Sequence, residues 1–236
     1  GLAYFCGYLN HYIGDSICHP YVYGRIGYDA KAPNSQAHGR HAALENDIDA
    51  ILLWKYKHKK PSQFNQAATI CLNGMETQFI SRFLAECINE AYYPITYSNN
   101  FQVTPAMIHR SILALRFGCR TLADPKGSKR NKIAFVEKLV LKKPVASQKL
   151  VTDEINNPRE VLNIDHDIWC NPWDRRLASK ASFPDLFRQC LHKSSNVYAI
   201  INSYLTGELP SNRESMDRLL DELGSYSYHS GLFVPD

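Results

Sequence analysis

His11, Asp15, His19, His41, Glu45 and Asp49 are side chains of the kinds that bind metals or carry protons. They fall into two clusters, His11-x-x-x-Asp15-x-x-x-His19 and His41-x-x-x-Glu45-x-x-x-Asp49. A four-residue step on a helix stacks side chains on one face, so each cluster reads as a stripe of ligand-type groups. The stripes are bordered by apolar residues: Tyr4, Phe5, Tyr8 and Ile13 in the first, Leu44, Ile48, Ile51 and Leu52 in the second. Imidazole and carboxylate are costly to bury beside such residues unless something satisfies them, and a divalent cation does so for both. Mixed His/Asp/Glu sets suit catalytic zinc with an open position, whereas closed Cys-rich sets suit structural zinc. Two zinc ions roughly 3.5–4 Å apart can clamp a phosphoryl group and supply hydroxide near neutral pH. Asp49, one turn beyond Glu45, is placed to orient a ligating histidine. His38 competes with His41 but lacks the four-residue step to Glu45.

Helices must present these stripes. The first is expected over residues 1–19, ended by His19-Pro20. Residues 20–40, with Gly24, Gly27, Pro33, Asn34 and Gly39, read as a loop whose Tyr21, Tyr23, Tyr28 and Arg25 form a cleft wall. A second helix is expected over 40–59, ended by the Lys57–Lys60 cluster and Pro61. Apolar residues recur at helical spacing from Glu76 to Tyr93, with Pro94 as a stop. Thr104-Pro105 is an N-cap with a first-turn proline, opening a helix to Phe117 that Gly118 closes. Phe183–Leu205 is a long amphipathic helix closed by Gly207. Ser211–Leu223 is another, with Ser211 and Glu214 spaced as a capping box. The Tyr- and Ser-rich tail after Gly224 reads as loose. Alternating strand patterns are nearly missing. The expectation is an all-α, multi-helix bundle, residues 1–236 as a single domain around a multinuclear zinc site, with 120–180 a basic, loop-rich connecting region.

Composition bounds the rest. The 236 residues are 44% hydrophobic and 21% charged, ordinary for a globular chain. The formal charge of +4 is mild and does not call for a nucleic-acid partner. Residues 120–149 carry nine Lys or Arg against two acids, which reads first as a solvated face. Seven cysteines without a C-x-x-C read as free thiols in a reducing compartment, which points to the cytoplasm. His166, between Asp165 and Asp167, reads as a packed loop histidine; His58, His109, His192 and His229 read as structural or surface residues.

His11-Tyr-Ile-Gly-Asp15 followed by His41-Ala-Ala-Leu-Glu45-Asn-Asp-Ile-Asp49 resembles the bacterial zinc-dependent phospholipase C family. Asp15-Ser-Ile-Cys-His19-Pro20-Tyr21, with the downstream Trp169-Cys-Asn171-Pro-Trp173, is similar to its clostridial-type branch. The resemblance covers about 50 residues closely. It implies an all-α fold around two or three zinc ions. Carried over by position, His11 and Asp15 bind one zinc, and His19, His41 and Glu45 a second, with Asp49 behind them. The family's remaining ligands and its general-base Asp lie upstream of this motif, so the resemblance implies a segment preceding residue 1 and no catalytic residue here beyond the ligands. The implied activity is hydrolysis of a phospholipid or other phosphodiester at a peripheral membrane contact, with no stable nucleic-acid partner. Two rival readings are a zinc-dependent single-strand nuclease and a non-catalytic helical module with a degenerate zinc site.

Overall fold

A computed structural model describes residues 1–32, 35–93, 95, 101–142 and 146–235, without the side chains of residues 35 and 36. Pro33, Asn34 and the Pro94 helix stop lie outside the described residues. The chain is mostly helical, as its patterning predicts. Among the described residues eight α-helices appear: α1 Leu2–Arg25, α2 Ser35–Lys57, α3 Gly74–Ala91, α4 Pro105–Thr121, α5 Ser128–Val140, the single turn α6 Pro158–Val161, α7 Phe183–Leu205 and α8 Arg213–Leu223. A two-residue antiparallel hairpin, β1 Trp169–Cys170 with β2 Ala178–Ser179, pairs Trp169 with Ser179. No described helix is long and apolar enough to cross a membrane.

The chain divides into two compact units, one of residues 1–52, 133–149 and 155–236, the other of 53–132 and 150–154. The first unit holds two apolar clusters. One joins Tyr21, Val22, Ile48, Ile51, Val161, Leu162, Trp169, Phe183 and Leu186. The other joins Leu9 and Ile13 of α1 to Cys190, Val197 and Ile201 of α7 and to Leu219 and Leu223 of α8. Their i, i+4 and i, i+7 spacing seats one stripe of each helix against the others. Burial of such aliphatic side chains stabilises by about 1.5–3 kcal/mol each. The stripe Leu9, Ile13, Ser16, Pro20 is the inward face of α1, so the ligand-type residues at 11, 15 and 19 ride on a helix fixed from behind.

Helix α1 does not stop at Pro20. The proline sits buried inside it, and the helix continues to Arg25. A proline in a helix interior removes one ladder hydrogen bond and crowds the carbonyl four residues back, here Ser16. The cost is offset by packing, because the segment beyond it carries Tyr21 and Val22 into the core. Tyr21 is therefore no cleft wall. It is fully buried, its phenol donates to the Val161 carbonyl at 2.7 Å, and its ring meets Trp169 and Phe183 edge-on. Burial pushes that phenol up to about 12. Gly24 lets the hairpin approach: a Cβ there would stand 2.7 Å from the Cys170 carbonyl oxygen.

Other boundaries shift for local reasons. Helix α2 begins at Ser35, not at residue 40, and Gly39 is where Gln148 lies too close for a Cβ. Helix α4 runs through Gly118 to Thr121. Helix α8 is capped by Asn212, whose Oδ1 accepts from Ser215 N at 3.0 Å, in place of the Ser211–Glu214 box. The cap read at Thr104 is formed, and α7 opens on a reciprocal Ser182–Asp185 capping box. The basic stretch holds a helix, α5, and Glu137 in it is buried, accepting from Ser147 Oγ at 2.6 Å.

In the second unit α3 and α4 form an antiparallel pair. Asn89, near the end of α3, holds the chain just before α4 by donating to the Val103 carbonyl at 2.9 Å and accepting from Val103 N at 2.8 Å. Ile80, Ser81 and Ala85 of α3 are buried, whereas α4 buries none of its residues.

Candidate metal centre

The two stripes meet. His19 on α1 and His41 and Glu45 on α2 bring one ligand atom each within 4.8 Å of one another. His41 Nε2 lies 3.0 Å and His19 Nε2 3.4 Å from the same Glu45 Oε1. Donors around one tetrahedral zinc with ~2 Å bonds stand about 3.3 Å apart, so the spacing suits that ion. Asp15 extends the group: its Oδ2 lies 3.8 Å from His19 Nδ1 and 3.4 Å from His11 Nε2. His11 touches Asp15 but stands at the exposed rim and is not part of the close triad. His38 is exposed, and His41 occupies the inward position. Asp49 makes no hydrogen bond to either histidine among the described residues, so its expected orienting role is not seen.

That orienting role falls to a backbone carbonyl at the far end of the chain. His19 Nδ1 is 2.5 Å from the Tyr228 carbonyl oxygen. A carbonyl only accepts, so Nδ1 carries the proton and Nε2 of the neutral ring presents a lone pair. That lone pair faces the Glu45 carboxylate, also an acceptor. Two acceptors 3.4 Å apart need a proton or a cation between them. The proton form of this demand appears in the titration. Burial would lower the His19 imidazole, but the Glu45 carboxylate and the Tyr228 carbonyl outweigh it and hold its pKa above the usual value. Burial would likewise raise Glu45, yet the two imidazoles pull its carboxyl down to about 2. Asp15 moves up, because burial outweighs the neighbouring His19 and His11. His41 Nδ1 is buried without a hydrogen-bond partner among the described residues. The donor set, its shared carboxylate oxygen and the fixed tautomer of His19 fit a divalent cation such as zinc.

The tail beyond Gly224 is not loose; it builds one wall of this centre. Tyr226 N donates to Tyr12 Oη at 2.7 Å, and Tyr12 Oη donates to the Gly224 carbonyl. Asn171 Nδ2 donates to the Ser230 carbonyl at 2.7 Å, and its Oδ1 accepts from Trp173 N at 2.9 Å. The Trp169-x-Asn171-Pro-Trp173 piece thus pins the tail through Asn171 while Trp169 anchors the hairpin in the core. His229 stacks on His19 with centroids 5.8 Å apart, and its Nδ1 shares a hydrogen bond with Tyr23 Oη at 3.2 Å. Burial and the neighbouring His19 and His41 hold the His229 imidazole below its usual pKa. Tyr23 also lies against His41 at 4.6 Å and against Trp173 at 4.9 Å, and Tyr28 joins Trp173 at 5.2 Å.

Sequence reasoning missed Tyr228, His229 and Trp173 as members of this site. The first acts through its backbone, which leaves no side-chain signature. The other two come from segments more than 120 positions beyond the ligand stripes, where helical spacing carries no information. Comparison of the chain with family models, with curated proteins and with solved structures returns no match.

Proposed function

We propose that the chain is a zinc-dependent phosphodiester hydrolase of the phospholipase C type. The observation that carries the proposal is the pair of facing acceptors, His19 Nε2 and Glu45 Oε1, locked by the Tyr228 carbonyl and joined by His41 Nε2 on the same carboxylate oxygen. His19, His41 and Glu45 would hold one ion; Asp15 and His11, on the same face of α1, would hold a second in a multinuclear site. Bound zinc neutralises charge on phosphoryl oxygens and lowers the pKa of water toward ~7. The chain's own groups then do the rest. The Tyr228 carbonyl keeps the proton of His19 on Nδ1, so Nε2 stays available. The Asp15 carboxylate, between His11 and His19, would be taken up by the second ion, and the proton that water sheds would pass to the departing alcohol oxygen. Water oxygen bonds to phosphorus, the bond to the departing alcohol oxygen breaks, and the products are an alcohol and a phosphomonoester. Tyr23, Tyr28, Trp173 and His229 close the other side against solvent.

The aromatic group Tyr23, Tyr28 and Trp173 also supports a second reading, a single-strand nuclease, since base faces stack on such rings. One experiment treats both. Protein purified without chelator is assayed for zinc by elemental analysis, then offered bis(p-nitrophenyl) phosphate, a choline-headed phospholipid and single-stranded DNA. The expected result is bound zinc, turnover of the two smaller phosphodiesters that chelator abolishes and zinc restores, and loss of both zinc and turnover in His41→Ala. Preferential cleavage of DNA would move the assignment to the nuclease. Wild-type zinc content in His41→Ala would overturn the centre.

A further inference from the structure

Between α3 and α4 of the second unit lies a cavity of about 600 Å³. It is lined on α3 by the stripe Gly74, Thr77, Gln78, Ser81, Arg82 and on α4 by a stripe that includes His109, Ile112, Leu113 and Arg116. Each stripe repeats at three- and four-residue steps, so one continuous face of each helix is turned to the cavity. Its charge is one-sided. Arg82 and Arg116 line it, no Asp or Glu does, and among the described residues neither guanidinium has an ion-pair partner. Because the helices run antiparallel, Arg116 falls toward the N-terminal end of α3, where unpaired backbone N–H groups favour negative charge. The acid nearest that helix end, Glu76, is engaged in its capping box with Asn73. Aliphatic side chains, Ile70, Leu72, Ile112 and Leu113, share the walls with Thr77, Gln78 and His109. Ser81, another lining residue, keeps a buried hydroxyl with no hydrogen-bond partner among the described residues.

We infer that this cavity is a ligand site for an amphiphilic anion, a phosphate or carboxylate head carrying an aliphatic chain. A guanidinium recognises phosphate or carboxylate through paired N–H donors, and two unpaired ones beside a cavity without acids select for negative charge. The aliphatic walls take the chain, and the volume falls within the range of small-ligand pockets. A bare inorganic anion would leave those walls empty; a neutral amphiphile would leave both cations unanswered. The site belongs to the second unit alone and stands independently of the metal centre.

The test is calorimetric titration of the full chain with octyl phosphate below its micellar concentration, set against inorganic phosphate and octyl glucoside. Octyl phosphate is expected to bind at least tenfold more tightly than either. The double variant Arg82→Gln/Arg116→Gln is expected to lose about tenfold or more of that affinity. Ile112→Gln, which keeps both charges, is expected to weaken octyl phosphate and leave inorganic phosphate unchanged. His41→Ala is expected to bind octyl phosphate as the wild type does. Equal binding of octyl glucoside or of inorganic phosphate would overturn the inference. So would an unchanged affinity in the double arginine variant, or loss of binding in His41→Ala, which would place the anion at the metal centre.

Discussion

Gly231 lies against the notch that Pro20 makes in α1. A Cβ on Gly231 would stand 2.5 Å from the Ser16 carbonyl oxygen and 2.8 Å from Pro20 Cγ, and the residue has φ +61. The tail seats here, three residues beyond the Tyr228 carbonyl that holds His19. Gly231→Ala must therefore strain the backbone and push the tail off the helix. The expected cost is roughly 1–3 kcal/mol of stability, with a fall in zinc affinity of about 10–100-fold as the carbonyl behind His19 is displaced. Thermal unfolding and competition with a zinc indicator measure the two. Destabilisation with unchanged zinc affinity would uncouple Tyr228 from the metal centre.

Zinc binding should discriminate between two neighbouring histidines. His41 faces Glu45 and His19, whereas His38, three residues earlier on α2, is exposed. His41→Ala is expected to lower zinc stoichiometry by about one ion per chain and His38→Ala to leave it unchanged, since each ion needs its own donors. Elemental analysis after gel filtration reads both. Equal loss in the two variants would mean that the site is not built as described.

Much of this centre was readable in the sequence. His11, Asp15 and His19, and His41 and Glu45, sit four apart, and helical geometry alone puts each set on one face. The all-α character followed from the same periodicity. What spacing could not reach was the third dimension. Pro20 ends a helix by local rules, yet α1 carries on because Tyr21 and Val22 are worth burying on its far side. The tail looked loose because its Tyr and Ser residues have no period. It is fixed instead by single hydrogen bonds to Asn171, Tyr12 and His19, and a hydrogen bond accepted by a backbone carbonyl has no sequence signal. Asp49, which spacing offered as the partner of a ligating histidine, makes no hydrogen bond to His19 or His41 among the described residues; the Tyr228 carbonyl holds His19.

The thiols should sort by burial. Cys71, Cys87 and Cys170 are exposed. Cys18 and Cys190 face each other across α1 and α7, Sγ to Sγ 3.6 Å, and their shared hydrogen bond together with burial drives the Cys18 thiol far up. Thiolate is the reactive form, and it is disfavoured at Cys18; the same hydrogen bond holds the Cys190 thiol below its usual value, but Cys190 is buried, so both should resist modification in the native protein. In a chromogenic disulfide assay of the native protein, the three exposed thiols are expected to react first, and Cys18 and Cys190 only after denaturation. Rapid labelling of Cys18, mapped by mass spectrometry, would contradict the packing of α1 on α7.

Metal-free protein should carry a pH signature of the Glu45 cluster. The two imidazoles hold Glu45 at about 2, below its ordinary value of 4.5, so its pairing stabilises the fold fully above 4.5 and fades as pH falls toward 2. His19 is held above its ordinary 6.5, so its contribution is complete below 6.5 and is lost as pH rises through the raised value. The two windows overlap between pH 4.5 and 6.5. Glu45 remains partly exposed, which screens the pair and keeps its worth near that of a surface interaction. In chelated protein, wild type is therefore expected to unfold about 1–4 °C above Glu45→Gln within that window, with the gap closing on either side. Zinc competes with the proton on His19 Nε2, so its affinity should drop as pH falls through the raised imidazole value. Differential scanning fluorimetry of the two proteins from pH 3.5 to 8.5 tests this. A gap that keeps widening toward pH 8 without metal would show that His19 and Glu45 are not the coupled pair that the geometry makes them.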